Sequence, residues 1–491
     1  VMSIKDRDLL SVQEARDLVA KAKVAQKILG AMGQAEIDSL VEAAARAAAD
    51  GAERLAKMAH EETGFGKWRD KTLKNLFAAR DVTEAMRGLR TVGILREDKE
   101  RRLLEVAVPV GVIAGLIPST NPTSTAIFKT LIAVKAGNAI IFSPHPNAKG
   151  CIQETVRILS EALSAAGAPE GLVSCMTVLA REGTSELMRH KDVALILATG
   201  GSEMVHAAYS SGTPAIGVGP GNTPAFIERT ADIPAAVRRI IESKIFDYST
   251  ICASEQSVVV DVPVEQAVRD EFVRQGGRFL SPDESGRVAS VIFNAAGKMN
   301  ARLVGRSPQM IGEVAGVEVG PEVRVLLADQ AGVGRKFPFS QEKLCPVLAF
   351  YSADGWENAC ERCLELLNYE GAGHTLAIHS RDEQVVREFG LKKPVSRVIV
   401  NAGSSLGGVG GTTGLLPSLT LGCGAVGHNA TSDNVGPLNL LNVRRVAWGL
   451  REIGELYPAS LSQEGGKVNA AGMDALVNRI VDELAVRLGL N

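Results

Sequence analysis

Hydrophobic positions in the first 90 residues recur at helical spacing. Over 11–29 and 34–59, Ala, Leu and Val fall three and four apart while acids and bases take the other face, which predicts amphipathic helices. Gly30 and Gly33 break them. Residues 91–109 read as extended and charged, a candidate protruding hairpin. From residue 110 the period changes. Short apolar runs at 110–117, 139–142, 172–178, 193–198 and 215–218 alternate with helical stretches, one over 123–136 ended by Gly137 and one reaching about 166. Strand, crossover helix and strand in repetition predict an α/β fold with a parallel, helix-covered sheet. Ligands on such sheets bind at the carboxyl ends of the strands. A second α/β series starts near Ala225, with a helix at 232–243, a strand at 254–261, a helix at 263–276, and strands at 323–328, 348–350 and 397–401. Residues 403–436 are dense in Gly, Ser, Thr and Asn, which predicts a long structured loop lining a site. Residues 444–448 suit an edge strand, and 458–472 read as a linker. Beyond it, Met473, Leu476, Val477, Ile480, Val481, Leu484 and Leu488 make one apolar stripe. A detached amphipathic helix of this kind docks on its own subunit or on a partner protein. Both readings stand at this point.

Composition narrows the class. A length of 491 residues allows about three folding units. With 45% apolar and 22% charged residues the chain is of ordinary globular make-up. A net charge of −2, from 54 basic and 56 acidic residues, argues against an electrostatic nucleic-acid binder. The 50 glycines imply many tight turns and close backbone approaches, which suits an enzyme with ligand-lining loops. The run at 110–117 has eight residues, where a membrane span needs about 20. The charged start, Lys5, Asp6, Arg7 and Asp8, is unlike a secretory leader. Seven cysteines, an odd number, read as reduced thiols, so the expected location is cytoplasmic. Cys360 and Cys363 form a C-x-x-C on a helix-like segment with no second pair, which reads as two helix-face thiols rather than a zinc site. No metal is expected.

Four short motifs are chemically suggestive. Cys252 lies just before a strand, among Thr250, Ala253 and Ser254. Alone that is weak, because an intracellular cysteine is more often a small buried hydrophobe than a nucleophile. PSTNPT (118–123) joins a strand end to a helix start, and Asn121 offers a side-chain NH2 to a developing oxyanion. By itself the motif is better read as a set of helix caps. ATGGSEMV (198–205) ends a strand in a small-residue turn whose N–H groups suit a phosphate, although a plain tight connection explains it equally well. GVGPGNTP (217–224) is a Gly-Pro loop that lets a ligand approach the backbone. GCGAVG (422–427) fits G-x-G-x-x-G, but turn-forming residues follow it where a helix is required. It reads as loop, not as a dinucleotide fingerprint.

Taken together, EVAVPVGVIAGLIPSTNPT, GNAIIFSPHPNA, ATGGSEMV, GVGPGNTP, ICASEQSVVVD, QEKLCPV, GHTLAIHS and the GCG…NVGP loop resemble the aldehyde dehydrogenase superfamily. Within it they are most similar to the CoA-acylating branch, in particular the propionaldehyde dehydrogenases of bacterial microcompartments. The resemblance runs from about residue 10 to about 455. It implies a Rossmann-like NAD-binding domain within 1–224, carrying the hairpin at 91–109 for oligomerisation. A catalytic domain at 225–430 follows, then a return and oligomerisation segment at 431–457, the linker, and the helix of 473–491 as an encapsulation peptide. It also implies that Cys252 is the nucleophile and Asn121 the oxyanion amide, helped by the backbone N–H of Cys252. By the same resemblance Glu342 holds the nicotinamide ribose, and Leu344 takes an aromatic's place near the nicotinamide. Thr199, Gly200 and Gly201 sit beside the pyrophosphate. Ser143, Pro144, His145 and Pro146 lie under the adenosine ribose, with Ser143 where hydrolytic relatives carry Lys. Pro118, Ser119, Thr120, Met204, Val218 and Gly219 complete the expected cofactor surface, and His374 matches a position typical of the acylating branch.

One departure bears on the reaction. Hydrolytic members carry a glutamate in the stretch matching GVGPGNTP, and this chain has Val218, Gly219, Pro220 and Gly221 there. Water, with a pKa of about 15.7, needs a base at neutral pH. A thiol, with a pKa of about 8.5, is already a few per cent thiolate. The resemblance therefore implies NAD-dependent oxidation of a short aldehyde, propionaldehyde above all, with transfer of the acyl group from Cys252 to coenzyme A. It further implies a homodimer or homotetramer, and microcompartment shell or core proteins as partners of the last helix. A hydrolytic enzyme, an acetaldehyde or other short-chain acylating enzyme, an acyl-phosphate reductase and a scaffold that keeps the fold without the chemistry are the competing readings.

Overall fold

A computed structural model describes residues 6–294, 297–457 and 470–488. The amphipathic N-terminal segments form helices Arg7–Leu29, Gln34–Asp50 and Ala52–Thr63. Asp6 starts the first by accepting from the N–H groups of Asp8 and Leu9. The helix expected over 34–59 is divided at Gly51, which forms a turn at φ −84° and ψ −4° between the two helices. Ala15, Val19 and Ala22 on one helix and Ala44 and Ala48 on the next are buried. Such small side chains let the first helix lie close against the first parallel sheet and the second against its neighbouring helices.

The segment at 91–109 forms β1 (Ile94–Asp98) and β2 (Leu103–Pro109), an antiparallel hairpin. β15 (Leu441–Ala447) joins it in the order β1-β2-β15, so the predicted edge strand is one. The first parallel sheet holds β3 (Val112–Ile117), β4 (Ala139–Pro144), β5 (Val173–Cys175), β6 (Val193–Thr199) and β7 (Ala215–Val218) in the order β5-β4-β3-β6-β7. The chain builds outward from β3 in one direction, then returns to add β6 and β7 on the other side. The crevice at such a reversal is where open α/β sheets take ligands. Of the strand expected at 172–178 only Val173–Cys175 pairs.

The second parallel sheet contains β8 (Thr223–Ile227), β9 (Glu255–Asp261), β10 (Gly277–Phe279), β11 (Val325–Asp329), β12 (Val347–Ala353), β13 (Gly373–His379) and β14 (Val395–Val400). Their order is β10-β11-β12-β9-β8-β13-β14. Three of these strands are not predicted by the pattern. β10 is three residues long. β13 carries His374, Thr375 and His379 fully buried, so its polar residues hide a core strand. β8 contains Pro224, which normally argues against an interior strand. The register of β8 on β9 shifts between Thr223 and Pro224, and that irregularity absorbs the missing N–H.

The chain divides into two compact units, 1–93 with 107–443, and 94–106 with 444–491. The larger holds both parallel sheets, so 1–224 and 225–430 are not separated by this division. In the smaller unit the C-terminal helix spans Ala470–Leu488, three residues longer at its start than the apolar stripe. Its stripe, from Met473 at 51% to Leu484 at 51%, is half exposed. The expected linker at 458–472 falls mostly outside the described residues. Among the described residues no helix is long and apolar enough to cross a membrane.

Candidate active site

The carboxyl ends of four strands in the first sheet open onto one cleft in the larger unit. β3 leads into Pro118, Ser119, Thr120 and Asn121, β4 towards His145, β6 into Thr199, Gly200 and Gly201, and β7 into Gly219 and Pro220, and all of these line it. The second sheet contributes Cys252 from the turn before β9, and Glu342 and Leu344 from the loop before β12. Met204 and Val218 complete the predicted lining, Val409, Leu419 and Leu421 come from the 403–436 stretch expected to line a site, and Thr125, Thr250 and Ile251 line it unpredicted. Ser143, Pro144, Pro146 and His374 lie off this cleft. Ser143 is buried, its hydroxyl 2.8 Å from that of Thr184.

Cys252 follows a strained turn. Asp247, Tyr248 and Ser249 have φ of 47°, 49° and 68°, a run of left-handed residues that each cost about 1–3 kcal/mol and persist only where the surroundings impose them. The buried Asp247 carboxylate supplies the constraint by accepting from the N–H of Lys67 at 2.6 Å and from Lys71 Nζ at 2.9 Å. Behind the thiol the backbone is closely approached. A Cβ on Gly221 would lie 2.1 Å from the carbonyl oxygen of Cys252, so only glycine fits there. Burial pushes the Cys252 thiol up to about 12, Glu342 and Cys423 add to the rise, and Arg397 opposes it. The resting sulfur is a thiol at neutral pH.

Asn121 stands at the N-cap position of helix Pro122–Lys135 yet makes no capping bond. Its Nδ2 donates instead to the carbonyl of Thr250 at 2.9 Å and towards the Thr120 hydroxyl at 3.3 Å. Its Oδ1 accepts from Lys74 Nζ. The side chain is thereby aimed across the cleft towards the Cys252 turn, and the cap reading of PSTNPT does not apply to Asn121.

Glu342 accepts from the N–H of Gly221 at 3.0 Å. Burial, and then Glu370, raise its carboxyl to about 8. Among the described residues lining the cleft it is the one acidic side chain, and the Gly221 backbone occupies one of its oxygens. His374 is buried with Nδ1 2.9 Å from the Thr375 hydroxyl and Nε2 without a hydrogen-bond partner. Burial, and then Arg397, lower it to about 3, so the imidazole is neutral. Arg397 is itself buried and donates to the carbonyls of His374 at 3.0 Å and Gly422 at 2.6 Å.

The turn at Thr199–Gly201 opens helix Ser202–Tyr209, and no side chain caps that helix. Its first N–H groups therefore remain for an anionic group, and a Cβ on Gly201 would meet nothing within 4 Å. This end of the cleft fits a dinucleotide phosphate. GCGAVG ends in a 3-10 turn, Ala425–Gly427, with no helix after it.

A family model described as the aldehyde dehydrogenase family matches residues 4–412. The chain belongs to the aldehyde dehydrogenase family. It is 45% identical over 442 residues to the bifunctional aldehyde-alcohol dehydrogenase AdhE of Escherichia coli (strain K12), covering 89% of this chain and 50% of that protein. The chain thus spans about half the length of that curated relative. Among solved structures it is similar to an acetylating aldehyde dehydrogenase from Geobacillus thermoglucosidasius, at 54% identity and a TM-score of 0.90, covering 92% of this chain and 99% of that one. It is also similar to a propionaldehyde dehydrogenase from the Clostridium phytofermentans fucose utilisation bacterial microcompartment, at 25% identity and a TM-score of 0.80, covering 88% and 97%. The expected likeness to the microcompartment enzymes is present. The acetylating relative is nearer by more than a factor of two in identity.

Several members of the site gave no signal in the sequence reading. Lys71 and Lys74 lie three apart on helix Trp68–Leu76 and are both buried, where an apolar stripe is the ordinary expectation. Charge on the inward face of a helix is the trace that would have found them. Asp247 and Arg397 leave no such trace, because their partners come from distant segments.

Proposed function

We propose that this protein is a CoA-acylating aldehyde dehydrogenase that oxidises a short aliphatic aldehyde to its acyl-CoA ester through an acyl-Cys252 thioester. The observation that carries the reading is that Cys252 and Asn121 line one cleft whose Val218–Pro220 wall has no acid. The Cys252 thiol gives up its proton to solvent as the sulfur adds to the aldehyde carbonyl, a C–S bond forms while the C=O π bond opens to an oxyanion, and Asn121 Nδ2 with the Cys252 N–H meets that oxyanion. Thr199–Gly201 would hold the pyrophosphate of NAD and Glu342 its nicotinamide ribose, and NAD would supply the hydride acceptor that turns the adduct into a thioester. The resulting thioester has no carboxylate at the Gly219–Pro220 wall to activate water. The coenzyme A thiolate, a better nucleophile at neutral pH, takes the acyl group, and the Cys252 thiolate leaves.

The 54% identity to an acetylating enzyme, against 25% to a propionaldehyde enzyme, favours acetaldehyde as substrate with propionaldehyde second. This departs from the order expected from the motifs. The half-exposed stripe of helix Ala470–Leu488, together with the microcompartment origin of one neighbour, supports docking of this helix on shell or core proteins of such a compartment. Deletion of 458–491 should then leave turnover intact and abolish co-sedimentation with compartments. Normal encapsulation of the truncated enzyme refutes that part.

The activity is tested by following NADH from acetaldehyde and NAD. Without coenzyme A, about one NADH per active site is expected, then near-silence. With it, turnover is sustained, and Cys252→Ala abolishes both phases. Sustained turnover without coenzyme A overturns the acylating reading in favour of hydrolysis.

A further inference from the structure

We propose that Lys74 is a positioning residue that fixes and polarises the Asn121 amide as the oxyanion donor. The inference rests on the reading of Asn121 given above.

Lys74 projects inward from helix Trp68–Leu76, and its side chain is 3% exposed. An ammonium has three N–H donors and no acceptor. All three are used here, on Asn121 Oδ1, on the Asp247 carboxylate, and on the Thr250 hydroxyl at 3.1 Å. A primary amide can be flipped without changing its shape, so its orientation has to be set by its neighbours. With Oδ1 on the ammonium, Nδ2 faces the Thr250 carbonyl at 2.9 Å. The flipped amide would set an NH2 against a cation and an oxygen against that carbonyl, two repulsions in a half-buried place. Lys74 thus selects the one orientation in which an N–H faces the reacting centre. Of the two Nδ2 hydrogens, one goes to Thr250, and the other meets only the Thr120 hydroxyl at a weak 3.3 Å. That second hydrogen is the one free to turn to an oxyanion.

A cation on the amide oxygen also draws electron density from the nitrogen and strengthens the N–H as a donor. The surrounding charges add to this. Lys71 Nζ shares Asp247 Oδ2 with Lys74 and donates to the Thr120 carbonyl at 3.0 Å. Asp70 accepts from the N–H of Asp247 at 2.7 Å and pairs with Lys67 at 3.1 Å. Three cations, Lys67, Lys71 and Lys74, face two carboxylates, Asp70 and Asp247. The surplus of one positive charge lies under the spot where an oxyanion develops. A lysine serving only to neutralise Asp247 would not need to reach Asn121, since Lys71 already pairs with that carboxylate.

The test is a double-mutant cycle on the full chain, reading the single-turnover rate of NADH formation from acetaldehyde and NAD without coenzyme A. Lys74→Met and Asn121→Ala are made singly and together, with thermal unfolding and the KM for aldehyde and NAD as controls. Removing an oxyanion donor typically costs about 100-fold or more, so Lys74→Met is expected to slow the step by roughly 30-fold or more. In the Asn121→Ala background its cost should shrink to within about threefold, because groups acting through one another are non-additive. The KM values should stay within about threefold. Where Lys74→Met does not fold, Lys74→Gln, which keeps a donor and loses the charge, enters the same cycle with the same expectation. An equal cost in both backgrounds, or no cost with Asn121 present, overturns the proposal. Full activity of Asn121→Ala alone would instead remove the oxyanion reading beneath it.

Discussion

Seven cysteines look alike on paper, and the differences among them are set by surroundings. Cys151, Cys345, Cys360, Cys363 and Cys423 are buried, and Cys175 is half-buried with its thiol pushed up by burial. Cys252 alone among them lines the cleft. Its thiol is also raised, to about 12, so its place on the cleft and not a resting thiolate distinguishes it. Thiolate fraction rises tenfold per pH unit below the pKa. Alkylation of Cys252 by iodoacetamide in the ligand-free enzyme should therefore climb about tenfold per pH unit between pH 7 and 9.5 with no plateau. Mass spectrometry of the Cys252 peptide reads this, and a plateau near pH 8 would show that the resting site stabilises the thiolate. Glu342 was legible as a residue of interest, yet its bond to the Gly221 N–H was not, because 121 positions separate them in the chain.

At the scale of elements, β13 is the informative case. Its motif is visible in the sequence and its strand is not, because buried histidines interrupt the apolar run that marks a core strand. Both ring nitrogens of His379 are without partners, and burial, then Arg239, lower it to about 4 from an ordinary 6.5. A depressed folded-state value means that the fold favours the neutral ring. The associated stability is present above pH 6.5 and is lost as pH falls through about 4. Over that window the shift corresponds to roughly 3 kcal/mol. Urea unfolding at pH 7 and pH 4 should show a smaller acid loss in His379→Leu than in the parent, by an amount of that order. Equal losses would place the acid sensitivity elsewhere. Most of the longer helices and most strands were legible because their period is local, whereas the helices Pro282–Ile292, Pro308–Ala315 and Glu383–Lys392 were not. β8 was not, because Pro224 is admitted only by a register shift that the partner strand β9 defines.

For the whole molecule, the smaller unit carries an unusual share of exposed apolar residues. Val446 is 41% exposed, Trp448 46%, Leu450 65% and Ile453 73%. Exposed apolar side chains of this size suit an association face when they adjoin, and we propose them as part of the interface of the expected dimer or tetramer. Trp448→Glu should lower the mass measured by light scattering to that of a smaller assembly while the helix content stays unchanged. A mass identical to the parent's would remove the face from the oligomer interface.

The residues alone determined the alternation of helices and strands, the two parallel series, the family, and the absence of an acid between Val218 and Gly221. Each is local in the chain, a matter of period, motif or residue type. Tertiary structure decided what surrounds the chemistry. Asn121 could serve as a cap or as a donor to the cleft, and only the approach of Lys74 and Thr250 from 47 and 129 residues away chooses between them. The same long-range packing raises the Cys252 thiol and the Glu342 carboxyl and lowers the His374 ring. Desolvation depends on everything that closes around a group, and no window of sequence contains it.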